Sequence, residues 1–374
     1  MNDGQLARQE NREPHPGSAP TSPPSPEDIA LQDTLLPGVS RTFALTIPQL
    51  PEQLRVPVTN AYLLCRIADT IEDEPALEPA EKQRFHQMFV AALRGEASAS
   101  EFARELHPKL SAATLEAERE LILHSPEVLH TTRALPVTQR AALERCVSIM
   151  CEGMPQFQNT EALNGLASLR EMERYCYFVA GVVGEMLTEL FCDYSPEIEL
   201  RRDELMGLAI AFGQGLQMTN ILKDIWEDRD RDACWLPRDV FDEAGVDIST
   251  LRSKQASGGF NEALNELIGV AHACLRNALR YTQLIPSAET GIRRFCLWAI
   301  GMAVLTLRKI HQNPDFSEGQ AVKISRRAVR TTIFTANLTA RSNSALDVVF
   351  ALAARGLPLA DRQRYEALTS GLNG

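Results

Sequence analysis

Two acidic clusters of identical spacing are the residues of this sequence best suited to chemistry. Both read D-x-x-E-D, and their carboxylates belong to Asp69, Glu72, Asp73, Asp224, Glu227 and Asp228. On a helix, positions i, i+3 and i+4 share a face, so each cluster presents three carboxylates together. Like charges at this spacing destabilise an isolated helix, and a bound cation would offset the repulsion. Facing carboxylate clusters suit Mg²⁺, which binds through one or two carboxylates together with phosphate oxygens.

Each acidic cluster follows an apolar stretch of sequence. Asp69 comes after residues 62–68, and Asp224 comes after residues 218–222. A solvated acidic helix end would explain one such cluster, but two identical clusters at the ends of apolar helices indicate an interior cavity. An apolar cavity with carboxylates at its mouth suits a long hydrocarbon attached to a diphosphate, because Mg²⁺ attracts diphosphate.

The charge balance limits the classes of partner. The chain has 374 residues, with 38 Lys and Arg against 49 Asp and Glu, which gives a net charge of −11. Nucleic acid is therefore not expected as a partner, because phosphate neutralisation needs basic surface. The eight cysteines form no C-x-x-C pair and are predicted to be buried thiols of a cytoplasmic protein. Charged or polar residues interrupt the longest apolar stretches, so no membrane-spanning helix is expected.

The elements that must position the carboxylates are predicted to be helices. Apolar residues recur at three- and four-residue intervals, as in the series Leu54, Val58, Tyr62, Cys65 and Ala68, and strand signals are scarce. Prolines mark the breaks between roughly ten expected helices of about 12 to 30 residues. The sequence thus predicts one all-α domain over residues 27–356. A proline-rich disordered tail is expected over residues 1–26, and a C-terminal tail over residues 357–374.

Four motifs together resemble the squalene/phytoene synthases. They are V-S-R-T-F at 39–43, R-I-A-D-T-I-E-D at 66–73, Y-C-Y-F-V-A-G-V-V-G at 175–184 and Q-M-T-N-I-L-K-D-I-W-E-D at 217–228. The resemblance covers about residues 33–345. It implies a helical bundle of the isoprenoid synthase type with a central apolar cavity. It also implies head-to-head condensation of two molecules of farnesyl diphosphate through presqualene diphosphate.

The resemblance also implies roles for individual residues. The metal ligands would be the six carboxylates of the two clusters, of which Asp69, Asp73, Asp224 and Asp228 are the catalytic ones. Tyr175 would be a further catalytic residue, whose phenol stabilises a carbocation or relays a proton, with Tyr177 a weaker candidate. The implied substrate-binding residues are Ser40, Arg41, Thr42, Arg66, Gln217, Asn220 and Lys223. Gly213 and Gly215 would provide room for a prenyl tail, a helix kink or tight packing.

A late basic segment bears on whether the reaction ends in a reduction. Residues 321–328, A-V-K-I-S-R-R-A, resemble the segment of squalene synthases that helps to bind NADPH, which implies cofactor contacts at Lys323, Arg326 and Arg327. Ser325 departs from the family, which usually has a basic residue there, and a basic helix start on the surface is the alternative interpretation.

Other functions remain open beside the squalene-forming reaction. The alternatives are an NADPH-independent phytoene or dehydrosqualene synthase, a terpene cyclase and a non-catalytic factor that binds prenyl diphosphates. Because the expected product is an oil, peripheral contact with the inner face of the membrane is a further expectation.

Overall fold

Helices account for nearly all of the regular structure. The computed structural model describes residues 24–157, 163–251 and 258–360, with the side chain of Arg41 excepted. These residues form nineteen α-helices and one isolated parallel β-bridge, between Leu166 and Pro237, and no strand. The predicted all-α fold is confirmed. In chain order the helices are α1 (Pro26–Val39), α2 (Arg41–Thr46), α3 (Glu52–Asp73), α4 (Pro79–Leu93), α5 (Ala99–Leu106), α6 (Glu116–Leu123), α7 (Ser125–Ala134), α8 (Val137–Gly153), α9 (Leu169–Cys176), α10 (Val182–Tyr194), α11 (Pro196–Glu199), α12 (Arg202–Lys223), α13 (Ile225–Asp230), α14 (Arg238–Glu243), α15 (Gly258–Leu284), α16 (Thr290–Gln312), α17 (Gly319–Val322), α18 (Arg326–Thr339) and α19 (Asn343–Ala353).

Local signals place the ends of the long helices. Pro51 is the N-cap of α3, while Pro286 and Pro314 follow the last residues of α15 and α16. Nine of the helices have 13 to 27 residues. This number agrees with the long helices that the sequence predicts; the shorter ones carry too few turns to give a periodic signal.

The core lies where α12 packs against α10 and α15, with α16 beside α15, and where α3 packs against α1, α7 and α8. Within α3, the periodic residues Leu54, Val58, Cys65 and Ala68 are buried, and Tyr62 is half-buried against them. The apolar periodicity therefore identifies the inner face of the helix that carries the first acidic cluster.

Close packing explains the glycines of the central helices. A Cβ atom at Gly213 would lie 2.0 Å from the carbonyl oxygen of Ala180, and one at Gly184 would lie 2.1 Å from that of Ala209. The backbone of α12 thus lies too close to the backbone of residues 180–184 for a side chain at Gly213 or Gly184. Of the explanations that the sequence allows for Gly213, tight packing is the one that the structure supports. Residues Tyr177–Gly181 form a π-helical turn between α9 and α10 at this contact.

Three helical segments are long and apolar enough to cross a membrane, judged by length and composition. They are Leu169–Tyr194, Arg202–Lys223 and Thr290–Gln312, and 56%, 56% and 61% of their most apolar windows are buried within the protein. Interruption by a few charged or polar residues does not lower the mean hydropathy of a long helix enough to exclude a span, and the expectation of no membrane-spanning helix stays a prediction. In the first segment, for example, Glu185 pairs with Arg145 at 3.1 Å.

A buried arginine joins the C-terminal ends of two helices. The guanidinium of Arg293, which is 1% exposed, donates to the carbonyl oxygens of Gln283, Ile285 and Ala340 at 2.8 to 3.0 Å. The first two carbonyls lie at the end of α15 and the third at the end of α18, where unpaired carbonyls carry partial negative charge. Arg293 therefore anchors α18 to the bundle.

The predictions for the cysteines and for the tails have different outcomes. All eight cysteines are buried free thiols, as expected. The proposed tails over residues 1–26 and 357–374 lie almost entirely outside the described residues, so both stay predictions.

Candidate active site

The first acidic cluster occupies the last turns of α3. The Nη1 atom of Arg66 lies 3.7 Å from the Oδ2 atom of Asp69. The Nη2 atom of Arg66 donates a hydrogen bond to Glu118 of α6. One third of the Asp69 side chain is accessible, yet protein surrounds its carboxylate, so it lines a recess rather than the outer surface. Burial raises the pKa of Asp69 to about 7; Arg66 opposes this shift, while the charges of Asp73 and Glu72 add to it.

The second acidic cluster lies where α12 gives way to α13. Asp224 leaves helical geometry with φ −101° and ψ 16°, so the expected continuous helix is interrupted there. The amide of Asp228 still donates to the carbonyl of Asp224 at 2.9 Å, which keeps the one-turn spacing. Lys223 lies 3.0 Å from the Asp224 carboxylate, and Arg231 lies 2.7 Å from that of Asp228. Burial raises the pKa of Asp228 to about 6; Arg231 opposes the shift, and Asp224 and Asp73 add to it.

The structure brings the two clusters within electrostatic reach of each other. The charge of Asp73 raises the pKa of Asp228, and Arg231 of the second cluster opposes the rise that burial causes in the pKa of Asp73. Arg66 and Arg231 thus hold positive charge at the two sides of the recess. This arrangement is the one expected of carboxylates that hold cations beside a bound polyanion.

A third segment closes over the second cluster. The amide of Gly319 donates to Oε1 of Glu227 at 2.6 Å, and the indole nitrogen of Trp226 donates to the carbonyl of Phe316 at 2.6 Å. The other oxygen of Glu227, Oε2, is buried and has no hydrogen-bond partner within the described part of the chain. Residues 316–319 therefore hold one face of α13 and leave a carboxylate oxygen available to a cation.

Tyr175 is buried beside the first cluster. Its ring stacks on Trp235 with centroids 4.1 Å apart and an angle of 5°, and the ring of Phe157 meets it edge-on at 5.4 Å. Burial, with the charges of Asp73, Cys176 and Glu72, raises the pKa of Tyr175 well above its ordinary value. The phenol is thus a fixed neutral donor near the carboxylates.

Tyr177, the weaker of the two tyrosine candidates, has different neighbours. It lies in the π-helical turn, and its hydroxyl donates to Glu185 at 3.4 Å. Glu185 is itself paired with Arg145, so Tyr177 belongs to a separate polar group.

The other predicted substrate-binding residues lie on α2 and α12. Ser40 is the N-cap of α2, where its hydroxyl accepts from the amide of Phe43 at 3.1 Å. Thr42 is exposed, and the side chain of Arg41 lies outside the described residues. Gln217 is half-buried and Asn220 is exposed on α12, seven and four residues before Asp224.

The start of α2 adjoins the first cluster. Burial raises the pKa of the Tyr62 phenol. A hydrogen bond with Ser40 and the charge of Arg66 oppose this rise, and the charge of Asp69 adds to it. Tyr62 therefore bridges the V-S-R-T-F segment and the carboxylates of α3.

The candidate cofactor residues lie beyond the segment that closes over Glu227. Lys323 directly follows α17, and Lys323, Arg326 and Arg327 are all exposed. The hydroxyl of Ser325 accepts from the amide of Ala328 at 3.1 Å as the N-cap of α18. A serine in place of the usual basic residue therefore has a structural reason, since it begins the helix.

The carboxylates fit Mg²⁺ only if a ligand completes its coordination. Within the described residues, no three His, Cys, Asp or Glu side chains are grouped closely enough to hold a metal ion by themselves. The raised pKa values of Asp69 and Asp228 and the unpartnered oxygen of Glu227 nevertheless indicate a place where positive charge is lacking. Mg²⁺ commonly binds through one or two carboxylates, water and substrate phosphate, which matches this donor set.

Comparison with known families decides the classification. Residues 36–328 match the squalene/phytoene synthase family. The chain belongs to this family. The squalene synthase ERG9 of Gibberella zeae is 30% identical over 320 residues, which cover 80% of this chain and 64% of that relative. This chain therefore spans slightly less than two thirds of the length of that relative.

Solved structures show the same fold. The complex of TcSQS with the ligand E5700 superposes with a TM-score of 0.68 at 23% identity, over 93% of this chain and 96% of the other. A dehydrosqualene synthase in complex with a ligand gives a TM-score of 0.60 at 20% identity, over 84% and 97% of the two chains. The isoprenoid synthase fold expected from the squalene/phytoene synthase motifs is thereby confirmed.

Four residues of this squalene/phytoene synthase site were not identified from the sequence: Glu118, Arg231, Trp235 and Gly319. Arg231 carried a local signal, because a basic residue three positions after Asp228 is favourably placed to pair with it. The other three reach the site through contacts between distant parts of the chain and have no local signal.

Proposed function

We propose that the protein is a squalene synthase that joins two molecules of farnesyl diphosphate through presqualene diphosphate and reduces the product with NADPH. The observation that carries this proposal is the pair of D-x-x-E-D clusters that interact across one recess, each flanked by an arginine. Membership of the squalene/phytoene synthase family and the 30% identity to a squalene synthase support it.

The first half of the reaction requires loss of diphosphate from an allylic carbon. Asp69, Asp73, Asp224 and Asp228, with Glu72 and Glu227 beside them, would hold Mg²⁺, which would supply positive charge to neutralise the departing diphosphate. Arg66 is placed to hold diphosphate oxygens, because its forked guanidinium already spans Asp69 and Glu118. Lys223 offers a second, point-like positive charge beside Asp224.

Tyr175 suits the handling of the carbocation that follows. Its phenol is neutral, buried and held by stacking on Trp235. It lies close enough to the first cluster for the charges of the carboxylates to raise its pKa. A ring fixed in this way can stabilise a cation through its π face or pass a proton to a carboxylate.

The reductive half depends on NADPH, which supplies a hydride when bound. Lys323, Arg326 and Arg327 are exposed and make no ion pair within the described residues, so they are available to a phosphate group. Lys323 lies four residues after Gly319, whose amide contacts Glu227. A cofactor held here would thus lie next to the second cluster.

A second candidate is the NADPH-independent formation of dehydrosqualene. The structural likeness to a dehydrosqualene synthase keeps this alternative open, because the fold and the carboxylates are compatible with both outcomes. The two reactions differ only in how the final cation is discharged, by hydride or by loss of a proton.

The test is a product analysis of the purified protein with farnesyl diphosphate and Mg²⁺, with and without NADPH, by gas chromatography and mass spectrometry. We expect squalene only with NADPH and presqualene diphosphate without it. Dehydrosqualene without NADPH would establish the second candidate, and absence of any C30 product would refute both.

The cofactor segment is tested separately with Lys323→Ala. This variant should form presqualene diphosphate at the normal rate and squalene more slowly, with a raised KM for NADPH. Lys309→Ala, an exposed lysine at the end of α16, is the matched control. An equal loss in both half-reactions would contradict the cofactor role of Lys323.

A further inference from the structure

The outer face of the α18–α19 pair exposes an unusual amount of apolar surface. Phe334 and Leu338 of α18 are 69% and 75% exposed, and Val348 and Leu352 of α19 are 60% and 61% exposed. Together with Leu359 they make up five of the ten large exposed hydrophobic residues in the described part of the chain. Scattered exposed apolar residues are ordinary, but a concentration of them indicates a contact surface.

Helix geometry places these residues on the side that faces away from the bundle. Phe334 and Leu338 are four residues apart on α18, as are Val348 and Leu352 on α19, so each pair shares a helix face. Both helices pack on α16 and on each other, and each buries one residue of its own, Ala336 in α18 and Leu346 in α19. The opposite faces of the two helices are therefore left without a partner in the described structure.

An apolar crevice opens between this helix pair and the bundle. It has a volume of about 180 Å³ and lies among α15, α16, α18 and α19. Its walls are mostly apolar and include Leu297, Ile300, Val304, Val349 and Phe350. The apolar character thus extends from the outer face into the space beneath it.

The charge of this region is opposite to that of the whole protein. Residues 323–359 contain six basic residues and a single acidic one, Asp347, whereas the chain carries a net charge of −11. Arg330, Arg341 and Arg355 are exposed beside the apolar residues, and none makes an ion pair within the described residues. Arg330 lies one turn before Phe334 on the same face of α18.

We propose that the outer face of α18 and α19 docks on an anionic lipid bilayer. The apolar residues would enter the interface between headgroups and acyl chains, and the arginines would meet lipid phosphates. The 11 residues of α19 are too few to span a bilayer, so the helices would lie in its plane. A second copy of the chain fits less well, since it would bring two sets of arginines together. This inference rests on the exposed residues and not on the proposed function.

The experiment is co-sedimentation of the full chain with vesicles of phosphatidylcholine alone or with added phosphatidylglycerol. We expect binding to the anionic vesicles, weakened by salt. Each arginine near an anionic surface strengthens binding about fivefold, so Arg330→Glu with Arg341→Glu should weaken it more than tenfold. Phe334→Ser with Leu338→Ser should weaken it about tenfold or more by removing the apolar contact.

A matched control uses an exposed leucine and arginine elsewhere on the surface. Leu200 is 87% exposed and is followed by exposed Arg201, so Leu200→Ser with Arg201→Glu changes the same residue types outside the proposed face. This variant should bind vesicles as the unmodified protein does. Synthesis of C30 product in detergent solution should be normal in all three variants, which separates this proposal from the proposed function.

Several results would overturn the proposal. They are equal binding by all three variants, no binding to anionic vesicles, and binding that survives both variants of the proposed face but is lost when residues 361–374 are deleted. A concentration-dependent dimer that Phe334→Ser with Leu338→Ser abolishes, without vesicle binding, would assign the face to a second copy instead.

Discussion

Replacement of Gly319 by alanine tests whether this residue positions the second acidic cluster. A Cβ atom at this position would lie 3.0 Å from Oε1 of Glu227, 3.0 Å from the carbonyl oxygen of Lys223 and 3.1 Å from Oδ1 of Asp224. Ordinary contacts of this kind begin near 3.4 Å, so the new methyl group needs about 0.4 Å more room. The backbone of Lys223 is held at the end of α12, and the two carboxylates are therefore expected to move.

The displacement should lower activity more than stability. A misplacement of about 1 Å at a reacting centre can lower a rate about 100-fold, so a shift of about 0.4 Å should lower kcat/KM about tenfold. This loss equals about 1.4 kcal/mol in transition-state free energy. Because carboxylates of the metal site move, the Mg²⁺ concentration for half-maximal rate should rise as well.

The assay measures initial rates of presqualene diphosphate formation against Mg²⁺ concentration, with the free energy of unfolding measured alongside. Gly207→Ala is the matched control, because Gly207 is exposed within α12 and no atom lies within 4 Å of its added Cβ. If Gly319→Ala folds normally and keeps both the kcat/KM and the Mg²⁺ dependence of the unmodified protein, the positioning argument is refuted.

Further predictions concern catalysis and stability. Gly207→Ala should raise the free energy of unfolding by about 0.5–1 kcal/mol, because alanine restricts the unfolded chain; a decrease would contradict this. Asp73→Ala should lower turnover about 100-fold or more without change in circular dichroism, and near-normal turnover would remove the metal assignment. Burial lowers the pKa of His86 from 6.5 to about 4, so only the unfolded state binds its proton between these values. Urea titrations should therefore show stability falling by about 3 kcal/mol as pH drops through this window, and His86→Gln should lack that component. Arg293→Leu should cost about 3 kcal/mol or more in thermal or urea unfolding, because it removes three hydrogen bonds and leaves only the Gln283 carbonyl with another donor, Asn343. Arg293→Lys should cost less, and equal losses would show that charge and hydrogen bonding are not the cause.

The helices and the two acidic clusters were predictable because their signals are local. The periodicity of α3 and the proline at Pro51 depend only on neighbouring residues, and so does the spacing of Asp69 and Asp73. The break at Asp224 had no such signal, since neither proline nor glycine lies there. Contacts of α13 with the segment from Phe316 to Gly319, about 90 residues further along the chain, accompany that break.

The other site residues that the sequence did not reveal reach the site through contacts between distant parts of the chain. Glu118 pairs with Arg66 across 52 residues, and Gly319 meets Glu227 across 92 residues. Neither partner has a residue type or spacing that singles it out, because one carboxylate and one glycine are common on any helical protein. The stack of Trp235 on Tyr175 likewise depends on how the loop between α13 and α14 packs against α9, which only the packed fold determines.

The burial of all eight cysteines equips the protein with internal reporters of its own opening. The thiols are distributed from Cys65 in α3 to Cys296 in α16, and no more than 9% of any of them is accessible. A thiol reagent can therefore react only when the surrounding helices separate, and burial further slows reaction by raising the pKa of Cys151, Cys176 and Cys296. Labelling rates read by mass spectrometry, cysteine by cysteine, would rank the regions of the bundle by the free energy of their local unfolding. No engineered probe would be needed to learn whether the helices around the acidic recess open together or one at a time.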